Sequence, residues 1–490
     1  MGTAPTAGVV VAALAFAGLM TSMAQTAMVP LVPLLPHLLH TSASGAAWAI
    51  TAALVAGAAA NPVVGRLGDM FGKRRVLLWT LGALFTGSLL CAFGDTLPTV
   101  VAGRAIQGCA LGAIPVGISL LRELLPAARV ATATALLSSM VGVGAALALP
   151  GAALLIQSAS WHLLYWAFAA LSLVALVGVW IAVPRPSRSA TVVPMDTGGA
   201  VGLALGLVAL LLALSQGGEW GWTSPRVGGL FLAAVVVLAW WGRWEWLRPH
   251  PLVDLRVSSA RQVLVTNVTA ILVGYATYAL AYSMSQLLQL PTGTHYGLGL
   301  SPLAAGLCLA PSGVVMLLSA PLSSRLSERF GARITLATGC AVVTCGWSLS
   351  LLLRHTPWQL VLTSCIIGAG VGLAYAAMPL LVMTAVPAAQ TAAANGLNTL
   401  MRSLGTASSG AVLGMILTTG VTVFQGASVP TEGAFRTVFL SAFAAALLAT
   451  ATALLLPSNR RADGGRAPLH TEPRHAQAGQ LRWRGTASGR

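Results

Sequence analysis

Apolar runs of about twenty residues alternate along this chain with short polar connectors rich in arginine. Some fourteen such runs can be marked, at about 9–29, 46–64, 76–94, 97–121, 131–156, 161–183, 199–216, 227–244, 263–287, 302–322, 334–353, 357–382, 393–423 and 434–456. A helix of ~20 mostly apolar residues crosses the ~30 Å hydrocarbon core of a bilayer. In hydrocarbon the backbone must satisfy itself, which a helix does alone. The pattern therefore predicts an all-α polytopic membrane protein of about fourteen helices. Two polar interruptions match each other. Gly65-Arg66-Leu67-Gly68-Asp69-Met70-Phe71-Gly72-Lys73-Arg74-Arg75 aligns with Ser324-Arg325-Leu326-Ser327-Glu328-Arg329-Phe330-Gly331-Ala332-Arg333 at an offset of 259, which also relates Pro62 to Pro321.

A long-range repeat in a membrane chain predicts two homologous bundles with a path between them, the architecture of a transporter. The expected units are six-helix bundles at 1–183 and 263–456, related by pseudo-two-fold symmetry. Between them, 184–262 holds a Pro-rich linker and an extra two-helix hairpin without a counterpart in the repeat. The Arg-, Gly- and Pro-rich stretch 457–490 reads as a disordered cytoplasmic tail.

Composition agrees with the solvent. Of 490 residues, 56% are hydrophobic and 8% charged, with a mean hydropathy of +0.82, whereas soluble domains carry roughly a quarter charged residues. The net charge of +16 could suggest a nucleic-acid partner, but its distribution excludes one. With the N-terminus inside, twenty-two basic residues fall on the cytoplasmic side and only Arg226, Arg354 and Arg436 on the other. That is the positive-inside rule, and it places both termini in the cytoplasm of a multi-pass inner (plasma) membrane protein. Anionic lipid headgroups account for the basic surface.

Other chemistry is sparse. The six cysteines lie within apolar runs without metal-ligand spacing. The eight histidines are scattered, with only His37 and His40 close together outside the tail. There is no phosphate-binding glycine loop and no cleavable signal peptide is expected. A membrane enzyme or sensor needs clustered catalytic groups, so neither enzyme activity nor a metal or other cofactor is expected.

Certain motifs carry a resemblance. Gly65, Leu67, Asp69, Gly72, Lys73, Arg74 and Arg75 fall on the signature positions of the loop between helices 2 and 3 in the major facilitator superfamily. Val101 through Gly108, with Arg104 and Gln107, is similar to the helix 4 motif of that family. Gly142, Gly144, Pro150 and Gly151 resemble the antiporter motif of helix 5, with the Gly-Pro pair displaced. With the extra hairpin, the chain is similar to the fourteen-helix drug:proton antiporter branch. The resemblance implies that Asp69 locks one conformation through a charge relay, with Arg325, Glu328 and Arg333 as its repeated copy, and that Arg104 takes part in proton transfer.

The residues themselves argue in the same direction. Arg104 lies about 10 Å inside a helix at 1.5 Å per residue, where an arginine costs at least ~2.5–3.5 kcal/mol on insertion scales. It therefore needs a polar cavity and a partner, for which Gln107 and Gln25 are candidates. Arg402 is a second intramembrane cation. No acid sits at a midplane: Met20 through Met28 of the first helix contains none. The expected cavity lining is apolar with sparse polar groups, namely Gln25, Asn61, Asn267, Tyr275, Tyr278, Gln286, Met378, Asn398 and Arg402. Such a surface suits large amphipathic molecules. The expectation is a monomeric exporter of hydrophobic or amphipathic compounds, such as drugs and antibiotics, coupled to protons by alternating access. A dedicated exporter of one endogenous metabolite is the alternative.

Overall fold

Proline and short hydroxyl or carboxyl side chains set where the helices begin. Ser224, Ser301 and Thr431 accept from the backbone N–H three residues ahead, at 3.4, 3.2 and 3.2 Å, and Asp196 does the same to Gly199 at 2.8 Å. Pro98, Pro225, Pro302 and Pro357 occupy the first turns of their helices, where the missing N–H costs nothing. The computed structural model of the chain describes residues 7–28, 31, 35–41, 43–158, 160–184, 196–249, 251–424 and 427–457. Most of the Pro184–Met195 linker and the tail beyond Pro457 lie outside the described residues.

Among the described residues, fourteen long helices follow in order. The first six are α1 (Ala7–Thr26), α2 (Ala43–Phe71), α3 (Lys73–Ala92), α4 (Leu97–Leu124), α5 (Ala127–Ser158) and α6 (His162–Ala182). The inserted pair is α7 (Thr197–Trp220) and α8 (Pro225–Leu247). The last six are α9 (Arg261–Gln289), α10 (Pro302–Phe330), α11 (Ala332–Leu352), α12 (Pro357–Ala385), α13 (Thr391–Thr419) and α14 (Glu432–Leu454). Among the described residues, all but α2 meet a strict length-and-hydropathy criterion for crossing a membrane. The chain is an all-α, multi-pass membrane protein. Three helices are locally irregular: α4 has a 3-10 turn at Cys109–Gly112, α9 a π turn at Leu280–Met284, and α10 a break at Ser319.

One boundary differs from the hydropathy reading. The run 393–423 does not stay helical: α13 stops at Thr419, and Val421–Phe424 (β1) pairs antiparallel with Ala427–Pro430 (β2). Val-Thr-Val-Phe is as apolar as a helix end but β-branched, so it forms a strand once Gly420 ends the helix.

Helix pairings repeat along the chain. In the first half α1 packs on α5, α2 on α4, and α3 on α6; in the second, α9 packs on α13, α10 on α12, and α11 on α14. The 259-residue offset carries five of the six first-half helices onto their counterparts, and α14 lies 270 residues after α6 because the β1–β2 hairpin intervenes. The halves meet most extensively at α2 with α13 and α5 with α10, and the same offset exchanges these two pairs; α5 with α12 and α4 with α13 add smaller contacts. One buried apolar cluster draws on residues 10–183 and another on 270–456, with Leu380, Met383, Ala392 and Val141 crossing over. The inserted α7 leans on α2 and α13 through Leu203, Leu207 and Leu211 against Ala58, Leu397 and Leu400.

The repeat is physical at two positions. Gly72 and Gly331, 259 apart, have φ of 93° and 86°, at the breaks between α2 and α3 and between α10 and α11. That region is open in practice to glycine alone. Two residues on, Arg74 donates to the carbonyls of Val183 and Trp180 at the end of α6 (2.7 and 2.6 Å). Arg333 likewise donates to Leu454 at the end of α14 (2.7 Å). Each half thus ties its second loop to the end of its own last helix. Gly72→Ala and Gly331→Ala should each cost about 1–3 kcal/mol and lower the melting temperature of the purified protein. Gly151→Ala, where an added Cβ meets nothing within 4 Å, should change it little; equal effects at all three would refute the assignment.

Candidate functional site

At the basic end, the two halves are fastened by helix caps. Asp69, at the end of α2, accepts from the backbone N–H of Ala392 (3.3 Å) and Ala393 (2.9 Å). These are unpaired donors in the first turn of α13, where the helix dipole is positive. The Asp69 side chain is 2% exposed. Lys73, one turn on, lies 3.5 Å from Asp69 and also reaches Glu123. Next to Glu123, Arg122 donates to the carbonyl of Met383 (2.7 Å) in the last turn of α12. An acid thus holds the start of α13 and a base holds the end of α12, both from the first half. The signature loop pointed to Asp69 and Lys73. Arg122 is one of the twenty-two basic residues assigned to the cytoplasmic side, and nothing in the sequence singles it out, because its acceptor is a distant backbone carbonyl.

The seam beneath is close because glycine permits it. A Cβ on Gly65 would sit 2.5 Å from the Ala392 carbonyl oxygen, and one on Gly396 would sit 2.6 Å from that of Asn61. On the other seam, a Cβ on Gly142 would strike the Met316 sulfur and one on Gly313 would meet Ala146. Gly144 abuts Ser22 on α1, Pro150 faces Gly306, and Gly151 faces open space.

The repeated copy of the loop is not engaged in the same way. Arg325 and Glu328 are exposed, and among the described residues Glu328 has no ion pair. Arg75 is exposed as well.

Arg104 is 2% exposed and fully held. Its guanidinium donates to the carbonyls of Ala24 (2.7 Å) and Ala49 (3.1 Å) and to Oε1 of Gln107 (2.8 Å). Gln107 in turn donates to Ser88 Oγ (2.8 Å). Ala24 lies in the last turn of α1, so Arg104 sits at the negative end of that helix. Gln107 is the expected partner. Gln25 is not, and its Nε2 is buried without one.

Between the halves lies a small cavity of about 10 Å³, room for about one water, lined by Ile114, Pro115, Ile118, Ser138, Val141, Pro379, Asn395, Asn398, Thr399 and Arg402. Drug-sized ligand sites run from roughly 300 to 1,000 Å³, so this state is closed to cargo. Of the residues expected to line a cavity, only Asn398 and Arg402 do so here. Asn398 donates to Asn267 Oδ1 (2.9 Å). Arg402 stacks over Tyr375, its guanidinium carbon 4.4 Å from the ring centre. Tyr275 turns to Ser441 on α14 (3.1 Å), Tyr278 stacks on Tyr282 against Gly410, and Met378 is wholly buried in the core of the second half. Asn61 is buried in the α2–α13 seam with both side-chain polar atoms unpaired, and Gln286 is half-buried near the far end of α9.

Comparison with known proteins agrees with this architecture. The model of the Major Facilitator Superfamily matches residues 14–195 and 194–410. Multidrug resistance protein 3 of Bacillus subtilis (strain 168) is 26% identical over 390 residues, covering 77% of this chain and 71% of its own. The tetracenomycin C resistance and export protein of Streptomyces glaucescens is 25% identical, covering 76% and 69%. Among solved structures, the human organic anion transporter MFSD10 (TETRAN) superposes with a TM-score of 0.64 over 92% of this chain and all of its own, at 16% identity; at that identity the likeness is one of fold.

If Asp69 fastens the seam, Asp69→Asn should weaken it by about 1–2 kcal/mol, the worth of an anion at a partly buried helix start. Ser119, wholly buried and within 3.4 Å of Asn395 across the seam, reports on that opening. In a cysteine-free background, a cysteine at Ser119 should react severalfold faster with a water-soluble maleimide once Asp69→Asn or Arg122→Ala is added. Glu328→Gln should leave the rate unchanged, and a rate unmoved by Asp69→Asn would show that the carboxylate fastens nothing.

Proposed function

This chain belongs to the major facilitator superfamily, and we propose that it exports hydrophobic or amphipathic compounds by alternating access, with protons moving inward in exchange. It is a membrane transporter and not an enzyme. The observation that carries the proposal is the bond from Asp69 to the Ala392 and Ala393 amides. It joins the two repeated halves at one end, over a cavity too small for cargo in this state. Access from that end requires the bond to break, and cargo or protons can therefore act by biasing it.

The finer points follow from the same geometry. The basic end is cytoplasmic in this proposal, in a plasma or inner membrane with both termini inside, as the arginine asymmetry supports. The halves 1–183 and 263–456 rock as bodies about the glycine seams of α2–α13 and α5–α10, and the chain works as a monomer. Asp69 is the one described carboxylate that bridges the halves, so it is the proposed proton-sensitive group. The Arg104–Gln107–Ser88 chain is the internal charge relay. Relatives named for multidrug resistance support a broad cargo range. A relative that exports tetracenomycin C favours the second reading, a dedicated exporter of one metabolite. A deletion strain sensitised to many unrelated compounds supports the first, and to a single compound the second.

Uptake of a fluorescent amphiphile into inverted vesicles should rise severalfold when an inward-acid pH gradient is imposed. Asp69→Asn should lower it by about tenfold, matching ~1.4 kcal/mol lost from the switching equilibrium. Uptake indifferent to the gradient would remove proton coupling from the proposal, and normal uptake by Arg104→Ala would remove the relay.

A further inference from the structure

Two guanidinium groups, Arg104 and Arg402, lie seven or more residues from either end of their membrane-spanning helices, and the fold treats them differently. Arg104 is surrounded by three acceptors. Arg402 has none: among the described residues no carboxylate lies within ion-pair distance, no acceptor takes its N–H groups, and its one contact of consequence is the face of Tyr375. A cation–π contact is worth about 0.5–2 kcal/mol, less than an intramembrane guanidinium costs. Its missing partner has to come from elsewhere.

Arg402 lines the cavity between the halves, and two further groups there are unpartnered. Ser138, 3% exposed, has a hydroxyl with no hydrogen bond, and Asn395, 2% exposed, has a free Oδ1. The first can donate to an anion beside the guanidinium, and the second can accept from a neighbouring N–H or O–H. The opposite wall, Ile114, Pro115, Ile118 and Val141, is apolar. No acid is among its described lining residues.

From this we infer that the preferred cargo is an amphipathic anion, a carboxylate or sulfonate carried on an apolar body. Arg402 binds the head group, Ser138 adds a donor, and the aliphatic wall takes the body. This rests on the export reading above and adds the charge class of the cargo. A cationic amphiphile would face an unpaired guanidinium in a poorly solvated space, which is repulsive where screening is weak. The lining agrees with this: a carrier of anions has no cation to neutralise.

The test uses three dansyl amides that differ only at the far end: dansyl-taurine (a sulfonate), dansyl-ethanolamine (neutral) and dansylamidoethyl-trimethylammonium (a cation). Each is offered to energised inverted vesicles bearing the full chain or no transporter. The sulfonate should accumulate at least about tenfold more than the cation, equivalent to ~1.4 kcal/mol. Arg402→Gln should erase that preference, Arg402→Lys should keep part of it, and Arg402→Glu should turn it toward the cation, a reversal that mere structural damage does not produce. If the neutral or cationic probe accumulates and the sulfonate does not, the anion assignment is overturned while the export reading stands. A preference for the sulfonate that survives Arg402→Gln overturns the role of Arg402. If no probe exceeds the empty vesicles, the export reading fails, and this proposal fails with it.

Discussion

Every helix leaves four N–H groups at its start and four carbonyls at its end without partners, and near a bilayer water cannot be relied on to supply them. This chain answers with its few charged side chains. Asp69 sits at the start of α13; Arg104, Arg122, Arg74 and Arg333 sit at the ends of α1, α12, α6 and α14. The sign is right in each case, an acid at the positive end and a base at the negative one. One set of bonds therefore places charge where the bilayer tolerates it and decides which helices stay together. Arg74 and Arg333 act within their own halves, and Asp69 and Arg122 act between halves. The first kind keeps each bundle rigid and the second decides whether the bundles are apart.

The repeat shares the first kind and breaks the second. Position 69 is an aspartate turned into the seam, while 328 is a glutamate facing solvent; 73 is the lysine that supports Asp69, and 332 is an alanine. The inserted helix α7 increases the imbalance, since it packs on α2 and α13 and not on the symmetry-related α5 and α10. A two-fold device with identical fasteners would be equally firm on both seams. Here the fastening is concentrated at α2–α13, beside the connector that follows α8, whose last turn carries Glu245. That carboxylate takes the Trp241 indole N–H (3.0 Å) and the Val253 amide (3.4 Å) and so anchors the hairpin near the same seam. Motion that opens α2 from α13 must also shift α7.

What was legible in the sequence follows from what sequence encodes directly. Hydropathy marks helices because burial in lipid needs apolar length, and the 259-residue offset marks the repeat because a glycine-only φ and an arginine cap tolerate few substitutes. Asp69 and Arg104 were visible as charges in unlikely places. The cavity was not. α13 is rich in Ala, Gly, Thr, Ser and Asn on every face, so its periodicity does not say which side meets the other half, and Tyr275, Tyr278 and Met378 proved to serve packing in the second half. Arg122 escaped because a cap on a carbonyl 261 residues away depends on the assembled fold. The β1–β2 hairpin escaped because its first strand continues an apolar run.

The contrast between Arg104 and Arg402 is where structure and function separate. Arg104 is buried and Arg402 half-buried, so both carry a desolvation cost, larger for Arg104, and a fold selected only for stability would give each acceptors or replace it with an apolar residue, often at no loss. Arg104 has been given a carbonyl from each of two helices and a glutamine held by Ser88, and it can be understood as part of the frame. Arg402 has an aromatic face and, among the described residues, no acceptor. Its position on α13, ten residues beyond Ala392 and on the helix that Asp69 holds, also means that whatever neutralises Arg402 binds to the element whose release opens the seam. A cargo that supplies the missing charge would therefore bind most strongly in the arrangement that brings Arg402 and Ser138 together across the halves, and its departure would leave α13 free to move away. In this way an unpaired cation can couple binding to the switch without a second mechanism.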